Sequence, residues 1–342
     1  MCARPKRAPF ESSTAARVLA FLSEAAGEYV SGQGISQALG MSRVAVWKHV
    51  RSLRAQGCHV EACRHCGYRL IGVPDLPTEE AVSPRLHTQI MGRPLLFYRE
   101  VDSTNHQLGV RASAGTPEGM ALVADHQTAG RGRMGRAWFS PTGVNLYVSI
   151  LLRPRIGLAQ AATLPLVAGC AVARAVARIA PDVPVRIKWP NDLQVHGRKL
   201  GGILCEMAAE TDTVWHVVVG IGLNVNLRRR QLPRPLARVA TSLAIETGRT
   251  CARAKLLAEL LNQFEPAYTT WCAEGLIPFL PEIAACDALR GQTVRVEQAR
   301  HMFEGVAGGV QADGTLLLRM ADGSRLSVHS GDAHILPGVC PS

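Results

Sequence analysis

A proline-containing break at residues 73–78 limits the fold more than any other feature of the sequence. The run Val-Pro-Asp-Leu-Pro-Thr holds two prolines in six residues. Proline lacks a backbone N–H and clashes with the preceding helical turn, so neither a helix nor a sheet ladder continues through this run. At about 150 residues per domain, a chain of 342 residues has room for two or three domains. We therefore predict a linker here between separately folded parts.

Positive charge is concentrated before this break. Residues 1–77 hold ten Lys or Arg and five Asp or Glu, in a chain with 38 basic residues, 27 acidic residues and a net charge of +11. This balance favours anionic partners, such as nucleic acid or phosphate compounds, without choosing between them. Hydrophobic residues make up 47% of the chain and charged residues 19%, which excludes a largely disordered protein.

The sequence after the break predicts a mixed domain. Strand-like runs at residues 146–152, 183–188 and 216–223 alternate with helix-like runs at residues 159–179 and 253–274. Such a mixture is typical of an α/β or α+β domain.

A third domain is predicted at the end of the chain. There, short β-prone runs are divided by Asp-Gly pairs at residues 313–314 and 322–323, which are strong hairpin signals. We expect a small antiparallel β-barrel. The predicted domains are residues 1–77, 78–285 and 286–342.

No membrane span or signal peptide is predicted. The longest uncharged stretch, residues 156–173, contains Gln160, Thr163 and Pro165 and continues into Arg174, as an amphipathic core helix does. The apolar run at residues 18–22 is shorter than the roughly 7 to 15 residues of a signal-peptide core. We expect a cytoplasmic protein without a membrane partner.

Ten cysteines are scattered along the chain without a repeated spacing, so most are predicted to be reduced and structural. The exception is a cluster of Cys58, Cys63 and Cys66 beside two histidines. Cys63 and Cys66 have the spacing of a metal knuckle, but no second Cys-x-x-Cys pair follows at finger distance. We predict no metal site, while a metal or a redox effect at this cluster stays open.

The first domain is predicted to hold three helices and a hairpin. Residues 15–26 place apolar side chains on one helical face, a second helix covers residues 35–39, and Ser42 caps a third that Gly57 stops. Residues 58–71 alternate and turn, as a β-hairpin wing would. This order is that of a winged helix-turn-helix domain, a DNA-binding fold.

The third helix is predicted to contact DNA. Val46, Val50 and Leu53 share one face and should be buried, which leaves polar and basic side chains outward for phosphates and base edges. Arg64 and Arg69 of the hairpin would reach the DNA backbone. The alternative is a protein-binding module, since basic helical faces are common. The predicted DNA contacts are Ser42, Arg43, Trp47, Lys48, His49 and Arg51.

The run Gly-Arg-Gly-Arg-Met-Gly-Arg at residues 130–136 indicates an anionic ligand. Its glycines let the backbone approach a ligand, and its arginines can bind phosphate through paired hydrogen bonds. The spacing fits neither a Walker loop nor the dinucleotide fingerprint. The alternative, an RNA-binding arginine-glycine tract, is disfavoured because only one copy is present.

Two further segments carry polar groups at the ends of strand-like runs. In Lys-Trp-Pro-Asn-Asp, residues 188–192, the proline should end a strand and leave Asn191 and Asp192 in a turn, where a carboxylate could hold Mg²⁺ or orient an amine. Lys199 precedes two glycines and an apolar run, which places its ammonium at the edge of a buried site. The segment Gly-Ile-Gly-Leu-Asn-Val-Asn, residues 220–226, more often forms a turn than a ligand site.

Together with Asp-Ser-Thr-Asn at residues 102–105, these segments resemble the biotin protein ligases closely. The resemblance covers nearly the whole chain, and with the helix-turn-helix domain it is similar to the bifunctional bacterial ligase/repressors. It implies a central α/β domain of the class II synthetase-like biotin/lipoate ligase type and an SH3-like C-terminal β-barrel. It also implies that biotin and ATP react, with Mg²⁺, to give biotinyl-5′-adenylate before biotin passes to a carrier-protein lysine.

The resemblance implies roles for particular residues. Lys199 would stabilise the charge of the transition state, and Met134 departs from the polar or basic residue often found in the loop. The expected catalytic residues are Arg133, Lys199 and Asp192. The expected biotin-binding residues are Ser103, Thr104, Asn105, Gln127, Arg131, Gly132, Arg133 and Lys199. The expected ATP and adenylate contacts are Arg131, Arg133, Arg136, Trp138, Lys199 and Asn224.

The implied partners are a biotin carboxyl carrier protein, operator DNA, and a second copy of the chain when the adenylate is bound. Adenylate would then couple biotin demand to repression of biotin-synthesis genes. A non-catalytic biotin-sensing transcription factor is one alternative, but it would not need Arg131, Arg133 and Lys199. A lipoate-type protein ligase is a second, disfavoured by the Arg-Gly loop and Lys-Trp-Pro-Asn-Asp. A third is an active ligase with a vestigial first domain.

Overall fold

The computed structural model describes residues 14–55, 57–210, 213–298 and 301–336. Cys2, Cys340, the predicted helix end at Gln56 and the outermost ends of the first and third predicted domains lie outside the described residues. The described residues form two compact units, which meet between Leu76 and Pro77. Their boundary falls inside the proline-containing run. The described residues from Pro77 onward form one unit, so the division at residues 285–286 stays a prediction.

The smaller unit holds three helices and a hairpin. Its elements are α1 (Thr14–Glu24), α2 (Gly32–Leu39), α3 (Arg43–Ala55), β1 (His59–Cys63) and β2 (Gly67–Gly72). Helix α2 begins at Gly32, earlier than the predicted start at residue 35, because the Ser31 hydroxyl accepts a hydrogen bond from Gly34 N–H at 2.9 Å and caps the helix. The Ser42 hydroxyl caps α3 as predicted, accepting from Ala45 N–H at 3.1 Å.

Apolar side chains from all five elements form the core of this unit. Val46, Val50 and Leu53 of α3 are buried, as predicted. Strands β1 and β2 pair antiparallel. The hairpin is fixed to the helices where Val30 and Tyr68 exchange two backbone hydrogen bonds of 2.8 and 2.9 Å. These two bonds lie beside the turn of the hairpin and hold that end in place.

A seven-stranded sheet forms the centre of the larger unit, in the order β3-β4-β5-β9-β8-β7-β6. Strands β3 and β4 are parallel, and the other neighbouring pairs are antiparallel. The strand predicted at residues 183–188 forms only over its last three residues, because Pro184 offers no N–H to the ladder. The strands are β3 (Leu95–Val101), β4 (Ala121–Gln127), β5 (Leu146–Leu152), β6 (Arg186–Lys188), β7 (Asp192–Val195), β8 (Arg198–Glu210) and β9 (Thr213–Leu223).

Helices cover both faces of this sheet. Leu108 of α5 packs against Leu122 and Leu151 on one face, whereas α9 pairs with Asp125 on the other. The helix predicted at residues 159–179 divides into α6 and α7, because Pro165 occupies the first turn of α7. The helices are α4 (Glu79–Val82), α5 (Thr104–Ser113), α6 (Leu158–Ala161), α7 (Leu164–Ile179), α8 (Leu243–Thr247), α9 (Arg253–Glu274) and α10 (Leu280–Cys286).

The helical segment Leu158–Ile179 has the length and composition of a membrane span, and 61% of its most apolar window is buried in the structure. A helix that packs against α9 and the sheet needs such a composition to stay in the core. The segment therefore meets the expectation of a core helix.

The end of the chain forms a second, five-stranded sheet. Its order is β13-β12-β11-β10-β14, and every neighbouring pair is antiparallel. The Asp-Gly pairs lie in the turns before and after β12, as predicted. The antiparallel arrangement is observed, while SH3-like closure stays a prediction. The strands are β10 (Thr293–Gln298), β11 (His301–Val310), β12 (Leu316–Arg319), β13 (Arg325–Val328) and β14 (Asp332–Ile335).

A buried ion pair joins α9 to the central sheet. Arg253 Nη1 donates to Asp125 Oδ1 at 2.8 Å and to the Asn145 carbonyl oxygen at 3.0 Å, and the two charged side chains are 1% and 4% exposed. The Asn145 amide donates to Asn224 Oδ1 and accepts from Val225 N–H, both at 3.1 Å. The network therefore fixes the segment that follows β9.

We expect Arg253→Met to lower the free energy of unfolding of the larger unit by about 3–5 kcal/mol, because the Asp125 carboxylate stays buried without its partner. Urea unfolding followed by circular dichroism measures this. The control Arg295→Met breaks the exposed pair of Arg295 with Glu304 and should cost less than about 1 kcal/mol. Equal losses in both variants would show that the buried pair has no special weight.

Candidate active site

Segments from distant parts of the larger unit converge on one pocket. The pocket is lined by the start of α5, the end of β4, the loop at residues 130–136, strands β8 and β9, the segment after β9, and Asp332 of β14. Every residue predicted to be catalytic or to bind biotin or ATP lies on its wall. These residues are Ser103, Thr104, Asn105, Gln127, Arg131, Gly132, Arg133, Arg136, Trp138, Asp192, Lys199 and Asn224.

One end of the pocket is a cluster of buried neutral polar side chains. The Thr104 N–H and hydroxyl donate to Gln127 Oε1 at 2.9 and 3.1 Å. Ser149 Oγ lies 2.7 Å from Thr104 Oγ1 and 2.6 Å from Asn105 Oδ1. A Cβ at Gly220 would stand 2.1 Å from Asn105 Oδ1, so only glycine leaves room for this amide. This end of the pocket can offer both donors and acceptors to an uncharged polar ligand group.

The other end is built from arginine, lysine and carboxylate side chains. Arg133 Nη1 donates to Asn191 Oδ1 at 3.1 Å and to the Gly331 carbonyl oxygen at 3.3 Å, and it lies 3.5 Å from Asp332 Oδ1. Arg136 forms an ion pair with the same Asp332 carboxylate. The second sheet thereby contributes directly to the pocket.

Lys199 lies at the junction of this charged end with β7 and β8. Its Nζ is 2.6 Å from Asp192 Oδ1. Asp192 is the first residue of β7 and not part of the turn as predicted, because the turn closes over Trp189, Pro190 and Asn191. The paired strands hold both charged groups in a fixed position.

Positive charge at this end exceeds negative charge. Burial lowers the pKa of Arg133, and Arg136 lowers it further while Asp192 opposes the shift. Burial also lowers the pKa of Lys188, with Lys199 and Arg136 acting in the same direction. Cations that are poorly hydrated and close together are stabilised by a bound anion. The charged end of the pocket is therefore suited to phosphate.

Trp138 forms part of the pocket wall beside these cations. The ring packs directly on two glycines. A Cβ at Gly222 would lie 2.7 Å from the ring, and a Cβ at Gly202 would lie 3.3 Å from it. Lys199 Nζ lies 5.4 Å from the ring centroid. Its buried indole Nε1 has no hydrogen-bond partner among the residues that the structure describes, which is costly unless a ligand supplies an acceptor.

The Asn224 side chain is fully engaged within the protein. Its Oδ1 accepts from Asn145, and its Nδ2 donates to the Thr241 carbonyl oxygen at 2.9 Å. It lines the pocket, but its amide hydrogen bonds hold the segment after β9. Asn224 therefore helps to shape the pocket, and its contact with the nucleotide stays a prediction.

Several pocket residues were not predicted from the sequence. The apolar wall of Leu227, Leu232, Leu236 and Ala240 lies in an arginine-rich segment, where the recurrent leucines were the available signal. Asp332 could not be predicted, because it contacts a loop that is distant in sequence. The neighbouring contact between Arg133 and Gly331 joins residues 198 positions apart.

The predicted DNA contacts lie on α3 of the smaller unit. Arg43, Trp47, Lys48 and Arg51 are exposed, as is the cap Ser42, and His49 is half-buried. The Arg51 guanidinium lies 5.6 Å from the Trp47 ring centroid, an arrangement that holds this aromatic side chain on the outer face.

The two hairpin arginines differ. Arg64 is exposed, whereas Arg69 donates to Glu61 Oε2 at 2.7 Å and stacks over the Tyr29 ring at 4.6 Å. The prediction that both are available to DNA therefore needs correction for Arg69, whose charge is already paired within the unit.

Family models match both units. Residues 97–224 match the biotin/lipoate A/B protein ligase family, and residues 14–69 match a helix-turn-helix domain. The helix-turn-helix prediction and the ligase-type fold of the central domain are thereby confirmed.

Individual proteins are similar over most of their length. The bifunctional ligase/repressor BirA of Bacillus spizizenii is 38% identical over 318 residues, 93% of this chain and 97% of that protein. BirA of Escherichia coli is 35% identical over 292 residues, 85% of this chain and 88% of the relative. The structure of the Aquifex aeolicus biotin protein ligase in complex with biotin and ATP covers 71% of this chain and 98% of its own, with a TM-score of 0.61 and 32% identity.

We expect Asp332→Asn to loosen the loop at residues 130–136 in the ligand-free protein, because Asp332 supplies counter-charge to both Arg133 and Arg136. Hydrogen exchange of the loop amides should speed up about fivefold or more, the factor for roughly 1 kcal/mol of lost ion pairing. Glu297→Gln is the matched control, since Glu297 lies opposite Asp332 in β10 and has the same charge. Identical exchange in both variants would mean that Asp332 does not order the loop.

Proposed function

This chain belongs to the biotin/lipoate protein ligase family, in its bifunctional ligase/repressor form, and from this premise we propose how its residues perform both activities. It is a biotin protein ligase that carries a repressor-type helix-turn-helix domain. Its reaction joins biotin to ATP and then to a carrier protein. The proposal concerns the residues that act at each step.

The excess positive charge at one end of the pocket supports a role for this end in the first step, the formation of the adenylate. When the biotin carboxylate attacks the α-phosphorus of ATP, negative charge accumulates on the phosphate oxygens, and fixed cations lower the barrier. We assign this role to Arg133 and Lys199. Both are held in place before ligand arrives, Arg133 by Asn191 and Gly331, and Lys199 by Asp192.

The neutral polar end is assigned to the biotin ring system. The ureido group has one carbonyl acceptor and two N–H donors, which Ser103, Thr104, Asn105 and Gln127 can satisfy. Arg131 and Gly132 line the same pocket and are assigned to biotin as well. Because polar groups left unpaired in a buried pocket are costly, this end would select biotin over ligands without a ureido ring.

The adenine is assigned to the wall of Trp138 and the leucines after β9. The indole ring would stack on the base, and Arg136 would close the loop over the phosphate. Asn224 would fix this wall through its hydrogen bonds with Asn145 and Thr241.

Magnesium would be held by Asp192 together with phosphate oxygens of ATP. One or two carboxylates plus substrate phosphates are the usual ligands of Mg²⁺ in nucleotide sites. Asp192 fits this requirement because its carboxylate lines the charged end of the pocket, beside Lys199. The ion would supply further counter-charge to the triphosphate.

In the second step the acceptor lysine of a biotin carboxyl carrier protein attacks the carbonyl carbon of the adenylate, and AMP leaves. Asp192 would orient the amine or accept its proton, since it is the carboxylate beside Lys199.

The C-terminal sheet contributes by position, because Gly331 and Asp332 contact the loop and the Gly314 carbonyl accepts from Trp189 Nε1 at 3.0 Å. SH3-like closure of this sheet is part of the proposal.

For DNA, we assign α3 to the major groove and the β1–β2 hairpin to the wing. Lys48, Arg43 and Arg51 would contact phosphates, while Ser42, Trp47 and His49 would reach base edges or the sugar-phosphate backbone.

A second copy of the chain is proposed as the partner in the adenylate-bound state. Strand β8 pairs with β7 only through Arg198–Gly202, and Ile203 is hydrogen-bonded to Asn191. Beyond Ile203 this edge pairs with no further strand in the part of the chain that the structure describes. Met207 and Trp215 near this edge are 41% and 57% exposed. An edge strand with exposed apolar side chains is suited to pairing with another copy.

Lys199→Ala should slow biotin-dependent exchange of labelled pyrophosphate into ATP by about 100-fold or more, the usual effect of removing a transition-state charge. Lys255→Ala, which removes an exposed lysine of α9, should keep the wild-type rate. Full exchange in the Lys199 variant would exclude this residue from the first step. No exchange in the wild type would favour a biotin-sensing regulator instead.

Lys48→Ala should weaken DNA binding and reduce the slope of log affinity against log salt by about 1, as expected when one phosphate contact is lost. Fluorescence anisotropy on DNA selected from a random pool with biotin and ATP measures both. Arg17→Ala on α1 removes the same charge from the same unit and should leave the slope unchanged. Equal slopes in both variants would remove Lys48 from the interface.

A further inference from the structure

Two cysteines lie at the turn of the β1–β2 hairpin, and neither the ligase reaction nor the proposed DNA contacts use them. Strand β1 ends at Cys63, strand β2 begins at Gly67, and Cys66 is the last residue of the turn between them. Cys63 is half-buried and Cys66 is exposed, and both are free thiols. Both sulfur atoms are therefore accessible at one end of the DNA-binding unit.

The backbone brings these two residues within disulfide reach. Cys63 pairs with Gly67 across the hairpin, and paired residues in an antiparallel ladder have Cα atoms about 4.5–5.5 Å apart. Cys66 immediately precedes Gly67 and stands three residues after Cys63 across the turn. The Cα atoms at the two ends of a four-residue turn lie less than about 7 Å apart, which overlaps the range of about 4.4–6.8 Å that a disulfide spans. The two thiols are close enough that each shifts the pKa of the other.

The turn is held at a fixed place by its base. Gly67 has a φ of 103°, and a Cβ there would stand 2.1 Å from the Val30 carbonyl oxygen. Tyr68 forms two backbone hydrogen bonds with Val30. Because the chain after the turn cannot shift, the two thiols stay close to each other in the folded unit, which raises their effective concentration for a joint reaction.

The surroundings of Cys63 favour its thiolate. Hydrogen bonds from the Cys66 thiol and from the backbone N–H groups of His65 and Cys66 lower the pKa of Cys63. The larger unit differs, because burial raises the pKa of Cys286 to about 11 and raises that of Cys170 and Cys205. Since the thiolate is the reactive form, Cys63 is set apart from those three cysteines.

We propose that Cys63 and Cys66 form a thiol–disulfide exchange site that is oxidised by small disulfides to an intramolecular disulfide. The Cys63 thiolate attacks one sulfur of a disulfide RS–SR, forms a mixed disulfide and releases RS⁻. The Cys66 thiol then loses its proton, attacks the Cys63 sulfur and releases the second RS⁻. Two protein thiols are oxidised by two electrons, the small disulfide is reduced to two thiols, and the protein protons end on these products.

The test uses the full-length protein and oxidised glutathione. Samples are quenched with acid, alkylated and mapped by peptide mass spectrometry, which separates the pair from the other cysteines of the chain, ten in all. We expect a Cys63–Cys66 disulfide that dithiothreitol reverses. It should form at least about tenfold faster than any adduct at Cys286, because the larger thiolate fraction of Cys63 outweighs the lower intrinsic nucleophilicity of a thiolate of lower pKa.

Two single variants test the order of attack. Cys66→Ser should stop at a stable glutathione adduct on Cys63, and Cys63→Ser should lower the reaction rate at Cys66. Cys286→Ser is the control and should react as the wild type does. Thermal melting and pyrophosphate exchange, measured on each variant, establish that folding and the ligase unit are unchanged.

Three results would overturn the proposal. The first is the absence of a disulfide between these cysteines at a concentration of oxidised glutathione that oxidises dithiothreitol. The second is attack by Cys66 first, shown by an adduct on Cys66 and none on Cys63 in the corresponding variants. The third is a stoichiometric metal ion in the purified protein that both cysteine variants lose, since this would make the pair a metal site.

Discussion

Counter-charge for the cations at one end of the pocket is the constraint on which the ligase unit depends. Arg133 and Lys188 are buried enough that the pKa of each is lowered, and Asp192 and Asp332 offset only part of the positive charge around them. Three separate parts of the chain supply the fixed partners, namely the turn before β7, strand β7 itself, and β14 of the second sheet. An anionic ligand completes this arrangement, because it brings the negative charge that the protein lacks there.

The second sheet acquires a role from the same constraint. Its Gly331 carbonyl and Asp332 carboxylate face Arg133 and Arg136, and its Gly314 carbonyl fixes Trp189. Behind the pocket, the Arg253–Asp125 pair holds Asn145, which holds Asn224. The neutral wall and the charged wall are therefore positioned by different networks, so a change in one should leave the other largely in place.

The sequence was sufficient for features that depend on local chemistry. The Ser42 cap, the buried face of α3, strand β5 and helix α9 follow from capping and periodicity, and the Arg-Gly loop and Lys-Trp-Pro-Asn-Asp identified the pocket. The start of α2 at Gly32 is also local, since its cap Ser31 bonds Gly34 three residues later, but the sequence analysis missed this cap. Two features required the folded chain. Arg69 is paired with Glu61 across the hairpin, and Asp332 contacts the loop only because the second sheet packs beside it. Pairings between residues far apart in sequence leave no periodic signal.

The division of the chain at residues 76–77 separates two kinds of electrostatics. The cations of the ligase pocket are partly buried, so their effect on a ligand is strong and is little screened by salt. Lys48 and Arg51 of α3 are exposed, so their attraction for DNA acts over about a Debye length and weakens as salt rises. The hairpin turn with Cys63 and Cys66 belongs to the smaller unit and is accessible, so a small oxidant can reach it without entering the core. The same residue types are thus suited to tight retention of a small ligand in one unit and to salt-dependent binding of a polyanion in the other.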